Sequence, residues 1–322
     1  MDIIDIYLKS QTHKTLSSDI LSGMLSHAYL LECSDAVILQ EYVYLMAKEI
    51  CCMSDVRPCN QCLNCQKIDH SNMVDLIIYP RGEKSIVVDD VNEIVVDSFI
   101  RPIENLYKIY ILNNFDLATT QAQNKILKTL EEPPAHVVFI LTCSNSNLVL
   151  PTIISRTKRI SEPLVDIAVV DDYLTSRKIA DSSTIASISG GNISIALKLS
   201  KGGEAKKIVD LALDTLLNLK SSGDILKFSS RIVALKKDIP FFVDTMVSLL
   251  RDSAVIKSGE AIQFKDYSKY VSTIAQMYSV SAVYQIVGKL MEIHNKLEFN
   301  CNANGVIDKM LLDILEVRFL CN

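Results

Sequence analysis

His27-Ala28-Tyr29-Leu30-Leu31-Glu32-Cys33-Ser34-Asp35-Ala36-Val37-Ile38-Leu39-Gln40 is the stretch on which the fold turns. Ala28–Cys33 is a near-continuous apolar run of strand length. Ser34, read as an N-cap, then opens a helical pattern over Asp35–Ile50. A strand apolar at consecutive positions is covered on both faces, as strands of parallel sheets are. The same unit repeats outward. Val74–Tyr79, Lys108–Asn113 and Val137–Cys143 read as strands; Asp89–Ile100, stopping before Pro102, and Asp116–Glu132, stopping at Pro133-Pro134, read as helices. Proline has no N–H for the helix ladder and clashes with the preceding turn, so these stops are physical. Alternating strand and helix predicts an α/β domain with a doubly wound parallel sheet.

Proline marks where that pattern ends. Seven of the eight prolines lie at or before Pro163, and only Pro240 follows. Beyond Pro163 the strands vanish. Val165–Leu199 holds short helical candidates broken at Gly190-Gly191-Asn192. From Glu204 onward apolar residues recur at helical spacing, as in Ile208, Leu211, Ala212, Leu216 and Leu219. Lys201-Gly202-Gly203 reads as a hinge. The expected organisation is an α/β domain over residues 1–163, a small helical domain over 164–203 and an all-α domain over 204–322. Three domains suit 322 residues at ~100–200 residues each.

Composition narrows the function classes. Apolar residues make up 49% and charged residues 22%, which suits packed cores and excludes a disordered chain. The 33 basic against 38 acidic residues give a net charge of -5, the wrong sign for strong DNA binding by the chain alone. The longest uncharged stretch, Pro133–Ser155, is interrupted by prolines, and its apolar core Val137–Leu141 is far short of the ~20 residues a membrane-spanning helix needs. Met1-Asp2-Ile3-Ile4-Asp5 carries no basic n-region. The expectation is therefore no signal peptide, no membrane and a cytoplasmic location.

Five of the nine cysteines, Cys51, Cys52, Cys59, Cys62 and Cys65, fall within fifteen residues. In a reducing compartment such a cluster reads as metal binding and not as a disulfide framework. Cys59-x2-Cys62-x2-Cys65 with a cysteine upstream supplies the four soft ligands of tetrahedral zinc. Four thiolates leave no open coordination position, so the site would be structural. Cys51 and Cys52 both reach as fourth ligand, with Cys52 favoured; the insert spans about residues 51–66. Two other readings stand beside zinc. One is an iron–sulfur cluster, although the fourth Cys and Pro of the ferredoxin pattern do not follow Cys65. The other is a set of free buried thiols. His70 is read as a surface residue.

The turn after the first strand is where nucleotide-binding α/β proteins place GxxxxGK[ST]. There is no glycine from Met24 to Arg81, and the quoted stretch contains no lysine. Without glycine the backbone does not readily wrap its N–H groups round a phosphate, and Glu32 and Asp35 repel an anion. Ile109-Tyr110-Ile111-Leu112 ends in Asn113-Asn114, two amides where Mg²⁺ and an attacking water would need carboxylates. Asp116 reads as the cap of the next helix.

Asn124-Lys125-Ile126-Leu127-Lys128-Thr129-Leu130-Glu131-Glu132-Pro133-Pro134, followed by Pro151-Thr152-Ile153-Ile154-Ser155-Arg156, resembles the AAA+ clamp-loader subunits of bacterial DNA polymerase III. His27-Ala28-Tyr29-Leu30 and the four-cysteine insert fit the same family, so the resemblance covers the first ~160 residues with several motifs in order. Gly190–Leu197 resembles the family's helical lid domain, and the remainder fits its collar domain by length and pattern. The resemblance implies a RecA-like sheet with a zinc insert, a lid and a collar. It also implies gamma/tau and delta subunits as partners, with the sliding clamp and primed DNA met through the complex.

Laid on the family motifs, the phosphate-loop lysine falls on Leu39, its hydroxyl partner on Gln40, the Asp-Glu pair on Asn113 and Asn114, and the lid arginine near Ser194. Every nucleotide contact is missing, which implies a member that binds no ATP; the alternative is an active gamma/tau-type ATPase with a divergent loop. The family's Ser-Arg-Cys motif supplies an arginine finger in trans. It corresponds to Ser155, Arg156 and Thr157, so the resemblance implies that Arg156 serves a neighbour's ATP. Read without the resemblance, Arg156 is a surface or salt-bridged residue, and Lys125 and Lys128 form a solvated helix face or meet DNA phosphates.

Overall fold

A computed structural model describes residues 1–81, 85–201, 204–258, 262, 264, 267–298 and 303–320. It divides into two compact units: Met1–Val165 with Asn192–Ser194, and Asp166–Gly191 with Ile195–Asn322.

The first unit carries five parallel strands, β1 Ala28–Glu32, β2 Leu76–Tyr79, β3 Lys108–Leu112, β4 Val137–Cys143 and β5 Lys158–Ser161, in the order β2-β3-β4-β1-β5. The parallel α/β sheet expected from the apolar runs is present. In register, Leu30 stands opposite Leu141 on one side and Arg159 on the other. All seven residues of β4 and all five of β3 are buried, because helices cover both faces of the sheet. β5 is the strand the apolar runs did not disclose. It reads Lys-Arg-Ile-Ser, buries only Ile160 and lies at the sheet edge, where polar side chains face water.

Seven helices accompany the sheet: α1 Ile3–Tyr7, α2 Gln11–Leu21, α3 Ala36–Cys51, α4 Leu63–Asp69, α5 Val88–Ser98, α6 Thr120–Glu131 and α7 Pro151–Ile154. Two expected caps are corrected. Asp35, not Ser34, caps α3, its carboxylate accepting from the N–H groups of Val37 at 2.9 Å and Ile38 at 3.3 Å. Thr119, not Asp116, caps α6; Asp116 lies in a preceding 3-10 turn. An N-cap oxygen must reach the N–H two or three residues on, and Asp116 is one turn too early for the helix that forms.

The second unit is helical: α8 Ile167–Ser176, α9 Ser182–Ser189, α10 Ile193–Ser200 (its first two residues belonging to the first unit), α11 Glu204–Asn218, α12 Ser222–Val233, α13 Ile239–Ser258, α14 Ser268–Met277, α15 Val280–Glu298 and α16 Ala303–Leu320. Gly190 and Gly191 have φ of 59° and 93°, left-handed values that end α9 without a Cβ penalty. Ile208, Leu211, Ala212, Leu216 and Leu219 are all buried in one core with Phe242, Met246, Ile286 and Met310. Of the expected hinge, Gly202 and Gly203 lie outside the described residues. Among the described residues no helix is long and apolar enough to cross a membrane.

The strand-end loops, the cysteine cluster and Arg156

The loops after β1, β3 and β4 meet at the carboxyl end of the sheet, where open α/β sheets place their ligand crevice. Three carboxylates, those of Glu32, Asp35 and Asp116, bond the loops there. Asp35 is fully buried, and its two oxygens accept from five donors. Val37 and Ile38 N–H come from the first turn of α3; Ile193 N–H at 2.5 Å, Ser194 N–H at 3.4 Å and the Ser194 hydroxyl come from the start of α10. Val37 N–H also donates to Ser194 Oγ at 2.8 Å, and Asn192 Nδ2 to the Ser34 carbonyl at 3.4 Å. The free N–H groups and the dipole make a helix N-terminus an anion site. Here the anion is a side chain. Asp35 itself takes up the N–H groups at the starts of α3 and α10.

Leu39 is 6% exposed and points into the core, whereas Gln40 is exposed. Glu32, at the end of β1, accepts from Ser146 N–H at 2.9 Å and from Arg159 Nε and Nη2 at 3.0 and 2.6 Å. Burial opposes its ionisation, but the Ser146 hydrogen bonds and the Arg159 guanidinium outweigh it and hold the carboxyl below its usual range. Asn113 N–H donates to the Tyr79 carbonyl at 2.8 Å. Asn114 takes a left-handed φ of 51° and donates its N–H to Thr142 Oγ1 at 2.9 Å. Asp116 accepts from Ser144 N–H at 2.9 Å, Ser144 Oγ at 2.7 Å and Asn145 N–H at 3.3 Å. That ties the end of β3 to the end of β4, the role it holds in place of capping.

At the other end of α3 the chain passes directly into the cysteine insert. Cys52 is the C-cap of α3 and Cys62 the N-cap of α4. The sulfurs of Cys52, Cys59, Cys62 and Cys65 all lie within 4.8 Å of one another. Cys51 is not in this group; it is half-buried, and desolvation pushes its thiol up to about 12. Four thiolates around zinc at ~2.3 Å sit roughly 3.8 Å apart. The Cys52–Cys62 separation of 4.0 Å is close to that value, so the donor set fits the metal in number, chemistry and spacing.

Backbone N–H groups of Gln61 and Cys62 point at Cys59 Sγ at 3.5 and 3.3 Å, which favours its thiolate. Burial opposes ionisation of Cys62, but hydrogen bonds from the backbone of Met53 and Cys65 and from neighbouring thiols outweigh it and bring the thiol to about 6. Lys48, in the last turn of α3, braces the insert through Asn60 Oδ1 at 2.9 Å and Asp69 Oδ1 at 2.5 Å. His70 is exposed and bonds the Gln66 carbonyl through Nδ1 at 2.7 Å, outside the sulfur group.

Arg156 follows the short α7. Nη1 donates to the Thr152 carbonyl at 2.9 Å and to Ser155 Oγ at 3.3 Å, and Nη2 pairs with Glu131 Oε1 at 2.6 Å. Ser155 is exposed. The Thr157 hydroxyl donates to the carbonyls of Ile153 and Ile154 at 3.1 and 3.3 Å, a bond that a cysteine thiol makes only weakly. Lys125 and Lys128 are exposed on α6. Sequence reasoning missed the parts of Ser194, Arg159 and Glu131. Each bonds across more than twenty residues of sequence, where spacing carries no signal.

Residues 8–163 match the family model described as DNA polymerase III, delta subunit. The chain is 24% identical over 324 residues to the DNA polymerase III subunit delta' of Bacillus subtilis, covering 96% of this chain and 97% of that protein. It is 26% identical over 303 residues to the DNA polymerase III subunit tau of the same organism, covering 91% of this chain but only 52% of that protein. Among solved structures, a gamma subunit-related protein from Thermotoga maritima aligns over 96% of this chain and 99% of its own, with 17% identity and a TM-score of 0.42.

Proposed function

We propose that this chain, whose residues 8–163 match the family model described as DNA polymerase III, delta subunit, is a delta-prime-type clamp-loader subunit that assists clamp loading without turning over ATP itself. The observation that carries this reading is Asp35. A nucleotide held at the start of α3 needs free backbone N–H groups and a cation; those N–H groups hold a buried carboxylate, and the lysine position is Leu39. Asn113 and Asn114 offer no carboxylate to Mg²⁺. In this reading residues 1–163 form the AAA+ domain, 164–203 the lid and 204–322 a collar that joins gamma/tau and delta subunits in the cytoplasm. The sliding clamp and primed DNA are met through the assembled complex.

Two groups serve that assembly. Cys52, Cys59, Cys62 and Cys65 would hold a structural zinc; a cation with four thiolates has no position left for substrate, so its contribution is to fix the insert. Arg156, with Ser155 beside it, would be lent to the ATP of an adjoining gamma/tau subunit, where a guanidinium offsets charge growing on the γ-phosphate, worth ~10³–10⁵ in rate in GTPase examples.

Isothermal calorimetry of the purified chain with Mg-ATP is expected to show no binding; micromolar affinity would overturn the reading. Arg156→Ala is expected to fold normally and to lower DNA-stimulated ATP turnover of a reconstituted gamma/tau complex, and unchanged turnover would remove the finger. The rival reading, an active ATPase of gamma/tau type, draws on the 26% identity to tau. It requires the same calorimetry to give the opposite result.

A further inference from the structure

Arg156 spends both terminal nitrogens on its own domain. Two acceptors, the Thr152 carbonyl and Ser155 Oγ, lie beside it in sequence on the α7 turn. The third, Glu131 Oε1 at 2.6 Å, is the contact from another element, the last residue of α6. A guanidinium has five N–H donors in a rigid fork, and three acceptors leave the Nε–H and one hydrogen of Nη2 uncommitted. The arginine side chain remains 34% exposed and that of Glu131 47%, so the pair is a surface one, and an ion pair at such a site adds little to stability. What it does supply is geometry. A long side chain held by three contacts has already given up most of its rotamer freedom before an anion arrives.

We infer that Glu131 is a positioning residue for Arg156, fixing the guanidinium at the end of α7 so that its uncommitted N–H groups meet a triphosphate presented by an adjoining subunit. The inference rests on the finger reading above. The opposite role is physically distinct: a carboxylate that competed with the phosphate would weaken the arginine, and its removal would speed turnover. Positioning predicts the reverse, because a misplaced group costs rate even when substrate binding is intact.

The test is ATP turnover by the reconstituted gamma/tau complex carrying this chain as the parent, Arg156→Ala, Glu131→Ala or Glu131→Gln. Glu131→Ala is expected to lower kcat roughly three- to tenfold with KM for ATP little changed. Glu131→Gln keeps an acceptor oxygen and is expected to recover most of that loss. Thermal melting of both Glu131 variants is expected to match the parent, which a purely structural brace between α6 and α7 would not give. If Arg156→Ala lowers turnover while Glu131→Ala leaves it unchanged or raises it, the positioning role is overturned. If Arg156→Ala has no effect, the finger reading fails and the positioning role falls with it.

Discussion

The two ends of α3 solve opposite electrostatic problems. At its N-terminus, where the helix dipole favours negative charge, the buried Asp35 carboxylate has five hydrogen-bond donors. At its C-terminus, where the dipole favours cations, the chain places a buried carboxylate, Glu49, and then four sulfurs. Glu49 Oε2 accepts from Tyr7 OH at 2.6 Å and contacts His13 Nδ1 at 3.1 Å, while Oε1 has no hydrogen-bond partner among the described residues. Burial pushes the Glu49 carboxyl up. At one end every carboxylate oxygen is bonded within the polypeptide; at the other a buried carboxylate oxygen is left without a hydrogen-bond partner among the described residues, and four sulfurs face one another. The pairing teaches that the two ends of one helix are settled separately: Asp35 takes up N–H groups at one end while four sulfurs gather beyond the other.

The largest effect is expected where the missing charge is external. Purified protein should carry one zinc per chain by elemental analysis. Cys62→Ser should abolish that stoichiometry and open the insert to proteolysis, since structural zinc contributes on the order of 10 kcal/mol of binding free energy to small zinc-folded peptides. Full metal content in the variant, or none in the parent, breaks the contrast between the two ends.

Next is Asp35→Ala, which removes the acceptor shared by five donors, the buried Ile38 and Ile193 N–H groups among them, and should cost about 3–5 kcal/mol in urea unfolding. Asp35→Asn keeps one acceptor oxygen and should cost less. Amide exchange at Ile193 and Ser194 should speed up in both variants. A loss under about 1 kcal/mol would mean that the carboxylate closes nothing.

The smallest effect concerns Glu49. Its folded value is raised, so its contribution is fully present below the ordinary value of 4.5 and is lost as pH rises through the folded value. Glu49→Gln has no charge to bury. The stability of the variant relative to the parent should therefore grow as pH rises above the ordinary value of 4.5, by less than the Asp35→Ala effect. A difference that shrinks with rising pH would show that Glu49 is as well served as Asp35.

Much of the sheet was legible because its strands are buried on both faces and say so residue by residue, as in Val137-Val138-Phe139-Ile140-Leu141. β5 was not, because an edge strand with one buried residue has no apolar run to read. The cysteine group was legible from spacing, since its members lie on one short insert. The filled crevice was half legible. Missing glycine and lysine marked this turn as unlike a phosphate loop, but only the fold brings Ser194 to Asp35, 159 positions away. The Glu131–Arg156 pair, 25 residues apart across a strand, was hidden for the same reason.

Asp35 and Leu39 also lock each other against change. Glycine at 35 alone would strand the buried amides of Ile38 and Ile193, and lysine at 39 alone would bury an amine in the hydrophobic interior. Each change made singly leaves the protein worse off, so a phosphate-gripping turn at this helix start takes several substitutions at once.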